Sequence, residues 1–157
     1  MIKLYKKNQN EQGSLTLELA FITPVLLMII LGSIFLGLAF INKSALLDAS
    51  FAGAQTAGYY GGDTQEVRED IYAMLQTRYL RGPNNVQVSI KYLAADGTNY
   101  EQTQAANEVE VTTPVPAMPG TAITVTTYTK DYNLNIPFVS NRTFDLVGTS
   151  VSQNNNQ

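Results

Sequence analysis

Glu18 opens a stretch of 23 residues, 19–41, in which no side chain is charged, and Gly13 stands five positions before it. A charged side chain in a membrane helix costs about 2.5–3.5 kcal/mol at the bilayer centre and less near the interface. One reading leaves Glu18 at headgroup level, complementing the positive end of the helix dipole. The other gives it a cationic partner. Elsewhere the chemically able residues are few. The chain has no His and no Cys, which excludes a thiolate nucleophile, a Ser-His-Asp arrangement and a zinc site of the usual nitrogen and sulfur donors. Asp96, Glu101, Glu108, Glu110 and Asp131 show no spacing that pairs two carboxylates for acid–base work. Asp63, Glu66, Glu69 and Asp70 read as a solvated helix start rather than a metal site. No catalytic residue, cofactor or metal is expected, and the chain is not expected to be an enzyme.

The element that positions Glu18 is the apolar stretch itself. A bilayer core about 30 Å thick takes roughly 20 apolar residues in a helix, and only Thr23, Gly32, Ser33 and Gly37 soften residues 19–41. A secretory signal has a shorter apolar stretch, about 7 to 15 residues. Lys3, Lys6 and Lys7 precede it, while the chain from Lys43 onward is acidic and the whole carries a net charge of −3. The positive-inside rule then places the N-terminus in the cytoplasm. The ten basic residues are scattered, so nucleic acid is not an expected partner. Pro24 removes a donor and crowds the carbonyl of Ala20. A kink or local loosening is expected there, with Thr23 and water able to satisfy the freed carbonyl.

Four segments are expected: a basic leader (1–13), a transmembrane helix (14–42), an extracytoplasmic α+β domain (43–152) and a disordered tail (153–157). The first helix continues past the membrane, because Ala45, Ala49, Ala52, Gly53, Thr56 and Ala57 recur at helical spacing. This stripe, centred on Ala49, Gly53 and Ala57, admits a close helix partner or the domain's own sheet. Gly58, Gly61 and Gly62 stop it. Asp63 and Glu66 form a capping signal for an amphipathic helix over 64–80, with Val67, Ile71, Met74 and Leu75 on one face. A small antiparallel sheet follows: Val86 to Tyr92 alternate, Asp96-Gly97 supplies a turn, 108–111 is a short strand, and 121–132 and 143–151 are longer ones. Asn141-Arg142-Thr143 is a sequon.

The string Gly13-Ser14-Leu15-Thr16-Leu17-Glu18, between a basic leader and a long apolar helix, resembles the class III signal of type IV pilin-like proteins. The continuation Glu18-Leu19-Ala20-Phe21-Ile22-Thr23-Pro24, the small-residue segment 44–58 and a final strand over 144–151 are similar to the TadE-like minor pilins of tight-adherence (Tad, Flp) systems. The chain departs from that family in its Lys-rich leader and in Leu19, where many relatives carry an aromatic residue. The resemblance implies a cut after Gly13 by a membrane aspartic prepilin peptidase. That cut leaves Ser14 as the new N-terminus and Glu18 as the residue its amine meets on a neighbouring subunit during assembly. It also implies the other partners: major and minor pilins, an inner-membrane assembly platform and the lipid bilayer. The expected function is that of a minor pilin in a pilus used for surface adhesion. An uncleaved, single-pass anchored surface or periplasmic interaction protein is the alternative.

Overall fold

The computed structural model describes residues 8–134 and 142–155, with side chains over 16–133 and 142–155. Lys3, Lys6, Lys7, Asn141, Asn156 and Gln157 lie outside the described residues. The architecture is α+β: helix α1 (Asn8–Tyr60), helix α2 (Gln65–Arg78), and strands β1 (Gln87–Leu93), β2 (Asn99–Ala105), β3 (Ala122–Leu134) and β4 (Arg142–Gln153). The strands form one antiparallel sheet in the order β2-β1-β3-β4.

α1 is a single helix of 53 residues, about 80 Å long at the usual rise. Its apolar part exposes its large side chains, from Leu17 and Leu19 through Phe40 and Ile41. Among the described residues it is the one helix long and apolar enough to cross a membrane. Beyond Asn42 the same helix becomes the spine of the domain, packed on α2, β3 and β4. The core gathers Leu46, Ala49, Ala54 and Ala57 from α1, Val67, Ile71 and Leu75 from α2, and Val88, Ile90, Ile123, Val125 and Leu146 from the sheet.

The small-residue stripe faces inward. Ala45, Ala49 and Ala57 are buried in this core, and a Cβ on Gly53 would collide with the side chain of Ile71 and touch Val125. The stripe thus packs on the chain's own α2 and sheet. Two other glycines bring β4 against α1. A Cβ on Gly148 would lie 2.5 Å from the carbonyl carbon of Leu46 and 2.6 Å from the nitrogen of Leu47, and one on Gly58 would lie 2.5 Å from Ser152 Oγ. The buried Thr127 hydroxyl also donates to the Leu46 carbonyl at 2.8 Å.

Several expectations need correction. Gly58 lies inside α1; the chain turns at Gly61, whose φ of 77° suits glycine and whose N–H returns to the Ala57 carbonyl at 2.8 Å. α2 begins after Thr64 rather than Asp63, with no side-chain cap, because Asp63 is engaged elsewhere. Residues 108–111 form no strand. The pairing edge is instead β2, which is registered on β1 from Asn99 opposite Leu93 to Ala105 opposite Gln87. The hairpin turn is at Asp96-Gly97 as expected: the Thr98 N–H and hydroxyl both donate to Asp96 Oδ1 at 2.9 and 2.6 Å. The tail is not free at its start. Gln153 ends β4, and the buried Asn154 amide donates to the carbonyls of Ala117 at 2.9 Å and Met118 at 3.2 Å.

Gly148→Ala should destabilise the full chain in detergent, since helix backbone cannot yield as a side chain does. Overpacking costs about 1–3 kcal/mol, and each kcal/mol moves the melting temperature of a small domain by about 4–8 °C. Gly53→Leu, pressed on Ile71, should act in the same direction. Gly32→Ala, where nothing lies within 4 Å, should leave thermal melting unchanged.

Candidate functional site

The candidate residues singled out by the sequence lie at the head of α1. Gly13 and Ser14 are in its helical backbone, and Glu18 is exposed one turn beyond Ser14. Among the described residues, Glu18 pairs with no basic side chain. The polar groups of the apolar segment satisfy themselves on their own helix: Thr23 Oγ1 donates to the Leu19 carbonyl at 2.6 Å and Ser33 Oγ to that of Ile29 at 2.8 Å. Thr23 therefore serves Leu19 and not Ala20, contrary to expectation. The helix runs through Pro24 without interruption. Beside it lies a shallow apolar groove lined by Ala20, Thr23, Val25, Leu27 and Met28.

The foot of the domain is fixed by a residue that sequence reasoning missed. Asn42 follows the apolar stretch directly and is buried. Its amide donates to the Tyr132 hydroxyl at 2.7 Å, and its carbonyl oxygen accepts the Leu80 N–H at 3.1 Å. One amide thus ties α1 to β3 and to the chain leaving α2. Asp48 and Arg78 pair on the surface at 2.5 Å, which adds little by itself because exposed pairs are worth about 0–1 kcal/mol.

Residues 13–55 match the family model of TadE-like proteins, a segment that takes in Gly13, Ser14, Glu18, Pro24, Asn42, Ala49 and Gly53. No curated protein and no solved structure matches the chain. The matched segment is a little over a quarter of the sequence and lies wholly within α1.

Beyond that segment, Asp63 joins a buried cluster. Arg68 Nε donates to its Oδ1 at 2.9 Å and Arg68 Nη2 to its Oδ2 at 2.5 Å, with both side chains almost wholly enclosed. The Tyr100 hydroxyl donates to the same Oδ2 at 3.0 Å. Tyr92 stacks on Tyr100 with ring centroids 4.5 Å apart, accepts the Asp63 N–H at 3.2 Å and donates to the Val115 carbonyl at 2.5 Å. The fork geometry of an arginine on a carboxylate makes such burial tolerable. The cluster closes the turn between α1 and α2 onto the sheet. An acidic residue followed five positions later by Arg was its sequence trace, too weak to separate from a helix start.

Burial pushes the Tyr100 phenol well above its ordinary range, and the adjacent Asp63 carboxylate adds to the effect. Burial likewise raises Tyr92 and Tyr79. The folded state therefore holds protons that the unfolded chain releases near pH 10. Stability should be intact below about pH 10 and fall as pH rises beyond it. Melting temperature followed from pH 8 upward should decline at the alkaline end, and Tyr100→Phe should make that decline shallower.

Proposed function

We propose, from the TadE-like segment at residues 13–55, that the chain is a minor pilin of a tight-adherence pilus machine. On this reading it is held in the bacterial inner membrane by α1, cut after Gly13 by a prepilin peptidase on the cytoplasmic side, and assembled with other pilins. The observation that carries the reading is that segment's arrangement: Glu18 exposed at the head of a helix most of whose large apolar side chains are also exposed through Ile41. Cleavage creates an amine on Ser14 with an ordinary pKa near 8, largely cationic at neutral pH. Axial offset between neighbouring subunits brings that amine to the Glu18 carboxylate of another copy. Losing one partner of such a buried pair costs about 3–5 kcal/mol, enough to select the assembly register. The domain would stand outside the membrane, with Pro24 loosening the helix for extraction.

The small-residue stripe is consumed inside the domain, so helix contacts between subunits fall to the opposite face of α1. There Leu47, Phe51 and Tyr59 recur at four- and eight-residue steps and are exposed. An amphipathic helix with apolar residues on both faces has a second surface to bury.

Mass spectrometry of the membrane-extracted protein tests the processing. The chain should begin at Ser14, and Gly13→Val should leave it inserted but full length. Full-length wild-type protein from a host with an active peptidase would favour the uncleaved anchor. Glu18→Ala should be cleaved normally yet co-purify poorly with its pilin partners, and Phe51→Glu should do the same while its melting temperature stays within a few degrees of wild type. Normal co-purification of Glu18→Ala would reduce the carboxylate to its headgroup-level role, worth less than about 1 kcal/mol.

A further inference from the structure

The end of the domain nearest the apolar segment has a composition of its own. Its height on α1 follows from two contacts: Gly148 lies against Leu46 and Leu47, and Ser152 lies beside Gly58. β4 therefore runs back toward the apolar segment from Gly148 to Arg142. A strand rises about 3.4 Å per residue, which puts Phe144 roughly 14 Å below Gly148. A helix covers that distance in about nine residues, which leads from Leu46 to Gly37. The cleft at this level is lined by Leu36, Phe40 and Lys43 of α1 and by Phe144 and Val147 of β4. Phe35 also packs against the domain core. The base of the domain thus overlaps the last turns of the charge-free stretch. Residues 19–41 rise about 35 Å, about 5 Å more than a hydrocarbon core of about 30 Å requires, so the last turn of the stretch falls at the headgroup boundary and Phe144, level with Gly37, at its inner edge.

Charge is distributed to match. Lys43, Arg81, Lys130 and Arg142 are exposed at this end, among three acids: Glu108 just past the end of β2, and Asp131 and Asp145, the second of which accepts the N–H of the first at 3.1 Å. Arg81 is held in place, its guanidinium 4.1 Å from the centre of the Tyr132 ring and donating to the Asn133 carbonyl at 2.7 Å. Arg78 is paired with Asp48. Glu66 and Glu69 stand at the start of α2 and Asp96 in the β1–β2 turn, toward the opposite end. Phe40 and Phe144 are 70% and 37% exposed. Phe rings beside basic side chains are a composition that lies at the boundary between headgroups and acyl chains.

We propose that this base docks on the bilayer surface around α1. Phe40 and Phe144 sit at the inner edge of the headgroup layer, while Lys43, Arg81 and Lys130 engage lipid phosphates, Arg142 reaches up to them along its apolar stem, and together they hold the domain at a fixed angle to the membrane. The proposal rests on the membrane reading of α1, and the two can fail separately. Because the chain has no Trp, one introduced Trp reports alone. Full-length variants are reconstituted in phosphatidylglycerol-containing vesicles whose acyl chains carry bromine near the carbonyl or near the centre. Ile29→Trp should be quenched by the deep bromines, Phe144→Trp should fall to about half its emission with the shallow ones, and Tyr59→Trp should be unaffected. Unquenched Ile29→Trp would overturn both the membrane reading and the docking. Quenched Ile29→Trp with Phe144→Trp behaving like Tyr59→Trp would overturn the docking alone, as would a blue-shifted but unquenched Phe144→Trp, which buries the ring in protein, against Tyr132 or a second copy, rather than in lipid. Thr143→Trp repeats the readout if Phe144→Trp loses its sheet signal in circular dichroism. Adding Lys43→Gln and Lys130→Gln should weaken the shallow quenching, and unchanged quenching would overturn the role of the basic residues.

Discussion

One helix has to satisfy two solvents without a break. α1 exposes apolar side chains all round over its first half and buries small ones on one face over its second, and no loop separates the two. Every other element is placed by that continuity. α2 and β4 can approach the second half closely only because its inward face is Ala and Gly and because β4 offers Gly148 where the backbones meet. Side chains of ordinary size on both elements would hold the sheet off the helix and open the core, which proteins fill to near-crystalline density.

The same continuity gives the boundary between the two halves its importance. Asn42 is the first residue after the apolar stretch and is hydrogen-bonded inside the domain through both the nitrogen and the oxygen of its amide. A buried amide left without partners costs about 1–3 kcal/mol, so the contacts of Asn42 favour one placement of the domain relative to the helix. At the other end, the Asp63–Arg68 pair and its two tyrosines fasten the turn from α1 to α2. The domain is thereby clamped at both ends of a shared helix rather than suspended from it by a linker. A force or a register change applied to the apolar half would be transmitted to the sheet without slack.

What could be read from the sequence was what depends on local pattern. The uncharged stretch, the Gly13-to-Glu18 spacing, the α2 periodicity and the alternation in β1, β3 and β4 all depend on neighbours within a few residues, and the α+β architecture follows from them. What could not be read depends on partners far along the chain. Asp63 has the residue type of a cap, and only the arrival of Tyr92 and Tyr100 makes it the acceptor of a buried pair. β2 is polar on both faces, so its strand state comes from registration on β1 and not from its own alternation. Asn154 looked like part of a frayed tail because its carbonyl partners, Ala117 and Met118, belong to an irregular segment. At the proposed site, the spacing singled out Gly13, Ser14 and Glu18 as candidates, but it left open which face of α1 the domain would occupy. Steric complementarity to Ile71 and Val125 decides that.

The rigidity of α1 across the membrane boundary is the claim on which the rest stands, and the absence of cysteine makes it directly measurable. Spin labels on Ile29→Cys and Tyr59→Cys, in the full chain in vesicles, are separated by 30 residues of continuous helix, or about 45 Å. Pulsed electron resonance should give one narrow distance distribution near that value. A broad distribution, or one centred well below it, would mean that the helix bends or melts where the apolar segment meets the domain, and would contradict the account.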